Sequence, residues 1–351
     1  MKTKIQFAAL ALALLSTINS QLSTLHAQGA LTPPSAPAPT MRSLDQIEPR
    51  TPLTALTAPG NGSAMFVITN AGSYFLTGNV AVPGALDGIR IAASDVVVDL
   101  KGFTLAGAAN ANAVAVRTIT PNLGRIQIRN GQLTSWVLAV DFTLSGPATN
   151  ALLEDLQMVL VTNVSNATAV SGGDGSRFVR CSISGANGVG ATALFGGNRC
   201  TVEACTVFNC YSGFILGSDA VVKDCRLNKV AADNAISVLN SSIVRNNLVD
   251  GCKTGIRFGG GCIVSQNTCQ NGSGSGFNFN GDSSRVEDNL SVSNAFYGFL
   301  NLGTTGNLVV RNFARANLSG NFNLSLTDSP GPIITSSGTI TNTSPWANFS
   351  Y

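Results

Sequence analysis

The chain offers few groups that could carry acid–base or metal chemistry. Among 351 residues there is one histidine, His26. It lies in an amino-terminal stretch that reads as a signal peptide, so the exported chain would hold none. Ser-His-Asp triads, Cys-His pairs and His-ligated zinc or copper are thereby excluded. Glycoside hydrolysis could still run on two carboxylates, about 5–5.5 Å apart for retention or about 6.5–9.5 Å for inversion. The adjacent acids Glu154/Asp155 and Glu287/Asp288 are expected to point in different directions, as solvated turn charges. Tyr211, Tyr297, Trp136 and Phe208 could each serve as a sugar-stacking platform or as coil packing.

Eight cysteines follow one another between 181 and 269: Cys181, Cys200, Cys205, Cys210, Cys225, Cys252, Cys262 and Cys269. No CxxC occurs, and the Cys200-x4-Cys205-x4-Cys210 spacing is not that of a zinc knuckle, so no metal site is expected. Disulfides and a stack of small buried thiols both fit. An even count in an exported chain favours bridges, and neighbouring strands lie within disulfide reach. Ser171-Gly-Gly-Asp174-Gly175 is similar to one piece of a calcium-binding nonapeptide repeat. It occurs once, where tandem copies are needed to supply ligands, and it reads as a turn.

What must position these side chains is a repeat. Phe178-Val-Arg-Cys181-Ser-Ile183 is followed by Val202-Glu-Ala-Cys205-Thr-Val207 and Val222-Lys-Asp-Cys225-Arg-Leu227. Equivalent runs carry Asn247, Asn267, Asn289 and Asn312, and the anchors from Cys181 onward are 24, 20, 22, 20, 22 and 23 residues apart. Between them a second strand recurs, as in Gly213-Phe-Ile-Leu216, Gly255-Ile-Arg-Phe258 and Gly276-Phe-Asn-Phe279. Short β-branched or aromatic runs with period-two alternation, broken by Gly and Asn, predict an all-β solenoid whose turns must stack to bury their apolar faces. An Asn held in one column suits a left-handed bend and can bond to the Asn above and below. Counting the Gly-type strands from Gly88 to Asn321 gives about eleven coils. The position before each anchor holds Asp155, Asp224 and Asp288, each three coils from the next and so roughly 14 Å apart, too far for a hydrolytic pair.

Residues 1–27 read as a signal peptide, with Lys2 and Lys4 ahead of an apolar core and Leu25-His-Ala27 at the cut. The chain is therefore expected to be secreted or held at the cell envelope, with no transmembrane segment after cleavage. Residues 28–60, with seven prolines from Pro33 to Pro59, read as a stiff leader. Residues 61–351 are the solenoid and its caps, the aromatic end at Ser344–Tyr351 being expected off-register as a cover for the last edge. Without Lys2 and Lys4 the formal charge falls from +3 to +1, with no basic run, which argues against nucleic acid as a partner.

Gly72-Ser-Tyr-Phe-Leu-Thr-Gly78, Val98-Asp-Leu-Lys-Gly-Phe-Thr-Leu105 and the repeats after them resemble secreted bacterial right-handed parallel β-helix proteins of the pectin-lyase-like superfamily. The resemblance implies a single-stranded right-handed parallel β-helix. It is weak for function, because the superfamily spans lyases, polygalacturonases, epimerases, tailspikes, adhesins and non-catalytic surface proteins. It implies a groove on the Gly-type strands, whose outward column reads Arg90, Ala115, Asp141, Thr168, Leu194, Ile215, Ser237, Arg257, Asn278, Leu300, Asn323. On that reading Ser237, Asn278 and Tyr297 are ligand contacts for a polysaccharide on a non-catalytic protein. The alternative is a uronate lyase, with Arg257 as base and Lys253 and Asp250 in the loop before it. Calcium would be its only cofactor; otherwise none is expected. An arginine base must overcome a reference pKa of about 13. A third reading, an adhesin- or tailspike-like assembly, rests on an exposed Leu194, Ile215 and Leu300 column.

Overall fold

Strands of three to five residues, alternately inward and outward, supply one rung per coil. One coil is built from Ile243–Arg245, Leu248–Asp250 and Thr254–Phe258. The next is Ile263–Ser265, Thr268–Gln270 and Phe277–Phe279, and each strand pairs in parallel with its counterpart. The computed structural model describes residues 50–351, apart from 111–112, 144–145, 232 and 336–337. The expected signal peptide and residues 28–49 of the expected leader lie outside the described residues. Every element described is a strand. No helix among them is long and apolar enough to cross a membrane. Two faces of the coil merge into a 24-stranded sheet, and the third is a twelve-stranded sheet running from Ala64–Ile68 to Gly320–Asn323. The solenoid thus has about twelve turns. The turn beyond the expected eleven is Ala64–Ile68, which precedes Gly88, where the count began.

The interior is a set of like-on-like columns. Phe277 lies 4.7 Å from Phe299 and Phe299 lies 5.0 Å from Phe322, ring on ring. Burial of such side chains, with Ile256 and Phe258 on the preceding rungs, is the main stabilising term. The glycine that opens several of these strands sits where the chain rounds a corner against the next coil. A Cβ at Gly255 would run into the Gly276 carbonyl and the Cys269 sulfur.

The left-handed bend falls one residue earlier than expected. Asp155, Arg180, Ala204, Asp224, Asn246, Gln266, Asp288 and Arg311 all have φ between 51° and 58°, whereas the Asn anchors do not. The bend turns its own side chain outward and aims the next one, the anchor, inward. There the asparagines form a buried ladder. Asn247 donates its backbone N–H and its Nδ2 to Asn267 Oδ1 (3.0 and 2.9 Å), and Asn267 does the same to Asn289. Each amide also reaches back to a carbonyl one coil earlier, as Asn267 Nδ2 does to Val244 (2.9 Å). In the cysteine coils sulfur takes the acceptor role: Cys181 N–H donates to Cys205 Sγ at 3.4 Å.

Both ends differ from expectation. Thr51–Pro52 pairs in parallel with Tyr74–Phe75, and Leu53 is buried in the core, so residues 50–60 join the first coil rather than a leader. At the other end Asn348–Ser350 is in register, with Phe349 opposite Phe313. Asn348 is the last rung of the ladder, accepting from Asn312.

Candidate functional site

Parallel register fixes which side chains line the outer face of the twelve-stranded sheet. Arg90, Arg117, Asp141 and Ser171 occupy successive rungs, followed by Phe195, Ile215, Ser237, Arg257, Asn278, Leu300 and Asn323. Ala115, Thr168 and Leu194 do not belong to this column; Arg117, Ser171 and Phe195 hold their rungs. Leu194 is fully buried and Leu300 is 4% exposed, so the apolar strip expected for lateral assembly does not exist. Phe195 stands out from the sheet instead, 45% exposed.

Ser237, Arg257 and Asn278 are consecutive rungs and form one half-buried polar line. Arg257 donates from Nη2 to Asn280 Oδ1 (2.9 Å). Tyr297 is not in the line. It has the parity of inward Phe299, packs edge-on against Phe296 and covers Gly320. Asp250 is not beside Arg257 either. The turn Gly251–Lys253 carries the chain round a corner, leaving Asp250 on the neighbouring sheet. There Asn228 Nδ2 donates to it at 3.1 Å, Gln270 Nε2 at 3.3 Å and Asn271 Nδ2 at 2.8 Å. Lys253 is exposed in the turn. Among the described residues no hydrogen bond or ion pair links Arg257, Lys253 and Asp250.

The amino-terminal half of the same face holds a cluster not anticipated from the sequence. Asp87, 1% exposed, accepts from Arg90 Nε (2.6 Å) and Val114 N–H (2.9 Å), and pairs with Arg117 Nε (3.2 Å). Asp141, on the rung after Arg117, accepts from the Thr143 amide and hydroxyl, both at 3.0 Å. The only available signal was an acid directly before Gly88-Ile-Arg90. Asp87 is spent on Arg90 and Arg117, which makes that trio a structural clamp.

The adjacent acid pairs converge rather than diverge. Arg180 donates to both Glu154 (2.6 Å) and Asp155 (2.7 and 2.9 Å), and Arg311 holds Glu287 and Asp288 in the same way. Arg180 and Arg311 are themselves bend residues one coil on from Asp155 and Asp288, so each guanidinium reaches the bend acid and the acid next to it. The Arg180 hydrogen bond lowers the Asp155 pKa, and the Arg311 hydrogen bond lowers that of Asp288. Asp155 and Asp288 are thereby held ionised, which does not suit them to act as general acids. A depression of about 460 Å³ beside the first pair is floored by Gly102 and Gly131 and edged by Gln132, Gln157 and Ser182.

Of the aromatic platforms, Trp136 is buried and donates Nε1–H to the Leu105 carbonyl (2.9 Å), and Tyr211 packs on the core. Phe208 is 50% exposed. Asp174 caps the next coil, accepting from Asn198 N–H (2.8 Å), and among the described residues no cluster of three Cys, Asp, Glu or His could hold a metal. All eight cysteines are buried free thiols. Burial pushes Cys210 and Cys252 up to about 11, which makes them poor nucleophiles.

A family model described as a right-handed β-helix region matches residues 147–268. No curated protein matches the chain in sequence. Among solved structures, the periplasmic alginate epimerase AlgG is 12% identical, with 76% of each chain covered and a TM-score of 0.51. The Dettilon tailspike protein gp208 is 14% identical over 81% of this chain and 52% of its own, with a TM-score of 0.41. At such identities the likeness speaks to the fold. The chain is a right-handed parallel β-helix.

Proposed function

We propose that this protein is an exported, non-catalytic β-helix protein that holds a polysaccharide along the outer face of its twelve-stranded sheet. The observation that carries this reading is the unbroken line Ser237–Arg257–Asn278, a hydroxyl, a guanidinium and an amide on successive rungs. Rungs repeat at ~4.8 Å, close to the length of one pyranose unit, so a chain laid along the axis meets one polar group per sugar. Phe195 and Ile215 extend the line with apolar surface for a ring face. A guanidinium suits a uronate carboxylate, and the fold is shared with an epimerase of alginate. Export rests on Lys2, Lys4 and the apolar run after them.

Catalysis finds less support. A uronate lyase would need Arg257 to surrender a proton with a base partner at hand, yet Asp250 is engaged on another face. Incubation with acidic polysaccharides, with and without calcium, tests this through the ultraviolet absorbance of unsaturated uronates. The reading predicts none. A sustained signal abolished by Arg257→Ala would overturn it in favour of the lyase.

A further inference from the structure

Asp250, displaced from the site for which its position beside Arg257 suggested it, stands in a constellation of its own. Phe208, Asn228, Asp250 and Gln270 are register partners on four successive coils of the 24-stranded sheet. Each faces outward, since the residue just before it in its strand, Val207, Leu227, Val249 or Cys269, is buried in the core. The line spans three rungs, roughly 14 Å. At one end half of the Phe208 ring is open to solvent, with the exposed Lys229 ammonium 5.4 Å from its centroid.

The hydrogen bonds around Asp250 fix what this line can recognise. A carboxylate only accepts, so Asn228, Gln270 and Asn271 must turn their NH₂ groups toward it. Their amide oxygens are therefore directed away from Asp250. With three of about four carboxylate lone-pair positions in use, one more acceptor site remains on Asp250. The result is an array of acceptors beside an aromatic face. A ligand that satisfies it must donate several hydrogen bonds and present a C–H face, as a neutral pyranose does. At Asp250 a uronate carboxylate would meet acceptors and a like charge, the one ammonium, Lys229, lying at the Phe208 end.

We propose that Phe208, Asn228, Asp250, Gln270 and Asn271 form a binding site for neutral oligosaccharides, with Phe208 as the stacking platform and Asp250 as the central acceptor. It lies on a different sheet from the Ser237–Arg257–Asn278 line and takes a different class of sugar, so it does not rest on the function proposed above.

The test is isothermal titration of the purified chain with cellohexaose, mannohexaose and xylohexaose at millimolar concentration, with an oligomannuronate alongside. At least one neutral hexaose should bind, and Phe208→Ala and Asp250→Asn should each weaken it by about tenfold or more. Both positions are at the surface, and thermal melts of the variants check that folding is kept. Three results would each overturn the proposal. They are no binding of any neutral hexaose, neutral binding untouched by both substitutions, or oligomannuronate binding that Phe208→Ala removes.

Discussion

Asn312 donates both its backbone N–H and its side-chain Nδ2 to the same atom, Oδ1 of Asn348, at 2.9 and 3.1 Å. Thirty-six residues separate the two, against 20 to 24 for the other rungs. Asn348 in turn donates to the Val309 and Gly331 carbonyls, so one side chain ties the carboxy-terminal strand to the last full coil. Asn348→Ala would leave the buried Asn312 N–H without its acceptor and remove Asn348's own ties to the Val309 and Gly331 carbonyls, while Asn312 Nδ2 keeps Val286 and Val310. The expected cost is about 2–3 kcal/mol, read as a lower denaturation midpoint with an unchanged slope.

Sealing by like-on-like packing leaves no space at the corner glycines. Gly255→Ala forces a methyl against the Gly276 carbonyl and the Cys269 sulfur, and should destabilise by about 1–3 kcal/mol. Unfolding in urea checks it. Alanine at Gly251, where nothing lies within 4 Å of a Cβ but φ is +64°, should cost less, about 1 kcal/mol, from backbone strain alone.

The thiols should remain unreactive while the chain is folded. Free and buried, they lack access, and Cys210 and Cys252, pushed up to about 11, lack thiolate character as well. Alkylation followed by intact-mass analysis should add no labels under native conditions and eight after denaturation. Fewer than eight without reductant would reveal a disulfide.

Acid should weaken the fold through the bend pairs. Asp155 and Asp288 have folded-state pKa values lowered by Arg180 and Arg311. Their contribution is therefore present above the ordinary carboxylate range and lost as pH falls through the lowered values. The melting temperature should be insensitive to these groups from pH 8 to 5 and should decline below about pH 4. The decline should be shallower in an Arg180→Ala, Arg311→Ala double variant, although both pairs face water and each effect is small.

The solenoid was legible because its anchor column holds only Cys or Asn from Cys181 to Asn312, at spacings of 20 to 24 residues. The bend was misplaced by one because its own column holds Arg, Ala, Asp, Asn and Gln, a mixture with no compositional mark. Outward positions were lost where the Gly marker fails. In Thr192–Gly196 a slip of one residue exchanged exposed Phe195 for buried Leu194, the usual consequence of a period of two. Asp250 was assigned to Arg257 by sequence proximity, which means little when a three-residue turn separates two sheets. The Asn348 rung was hidden by the long excursion that precedes it. Asp87 carried no periodic signal at all.

The central claim is that the Ser237–Arg257–Asn278 line holds polysaccharide, and retention on an immobilised acidic polysaccharide tests it most directly. The chain should be retarded, elute with rising salt, and lose about tenfold in affinity on Arg257→Ala with its melting temperature unchanged. Equal retention of the parent and the Arg257→Ala variant would contradict the account and move the site off this face.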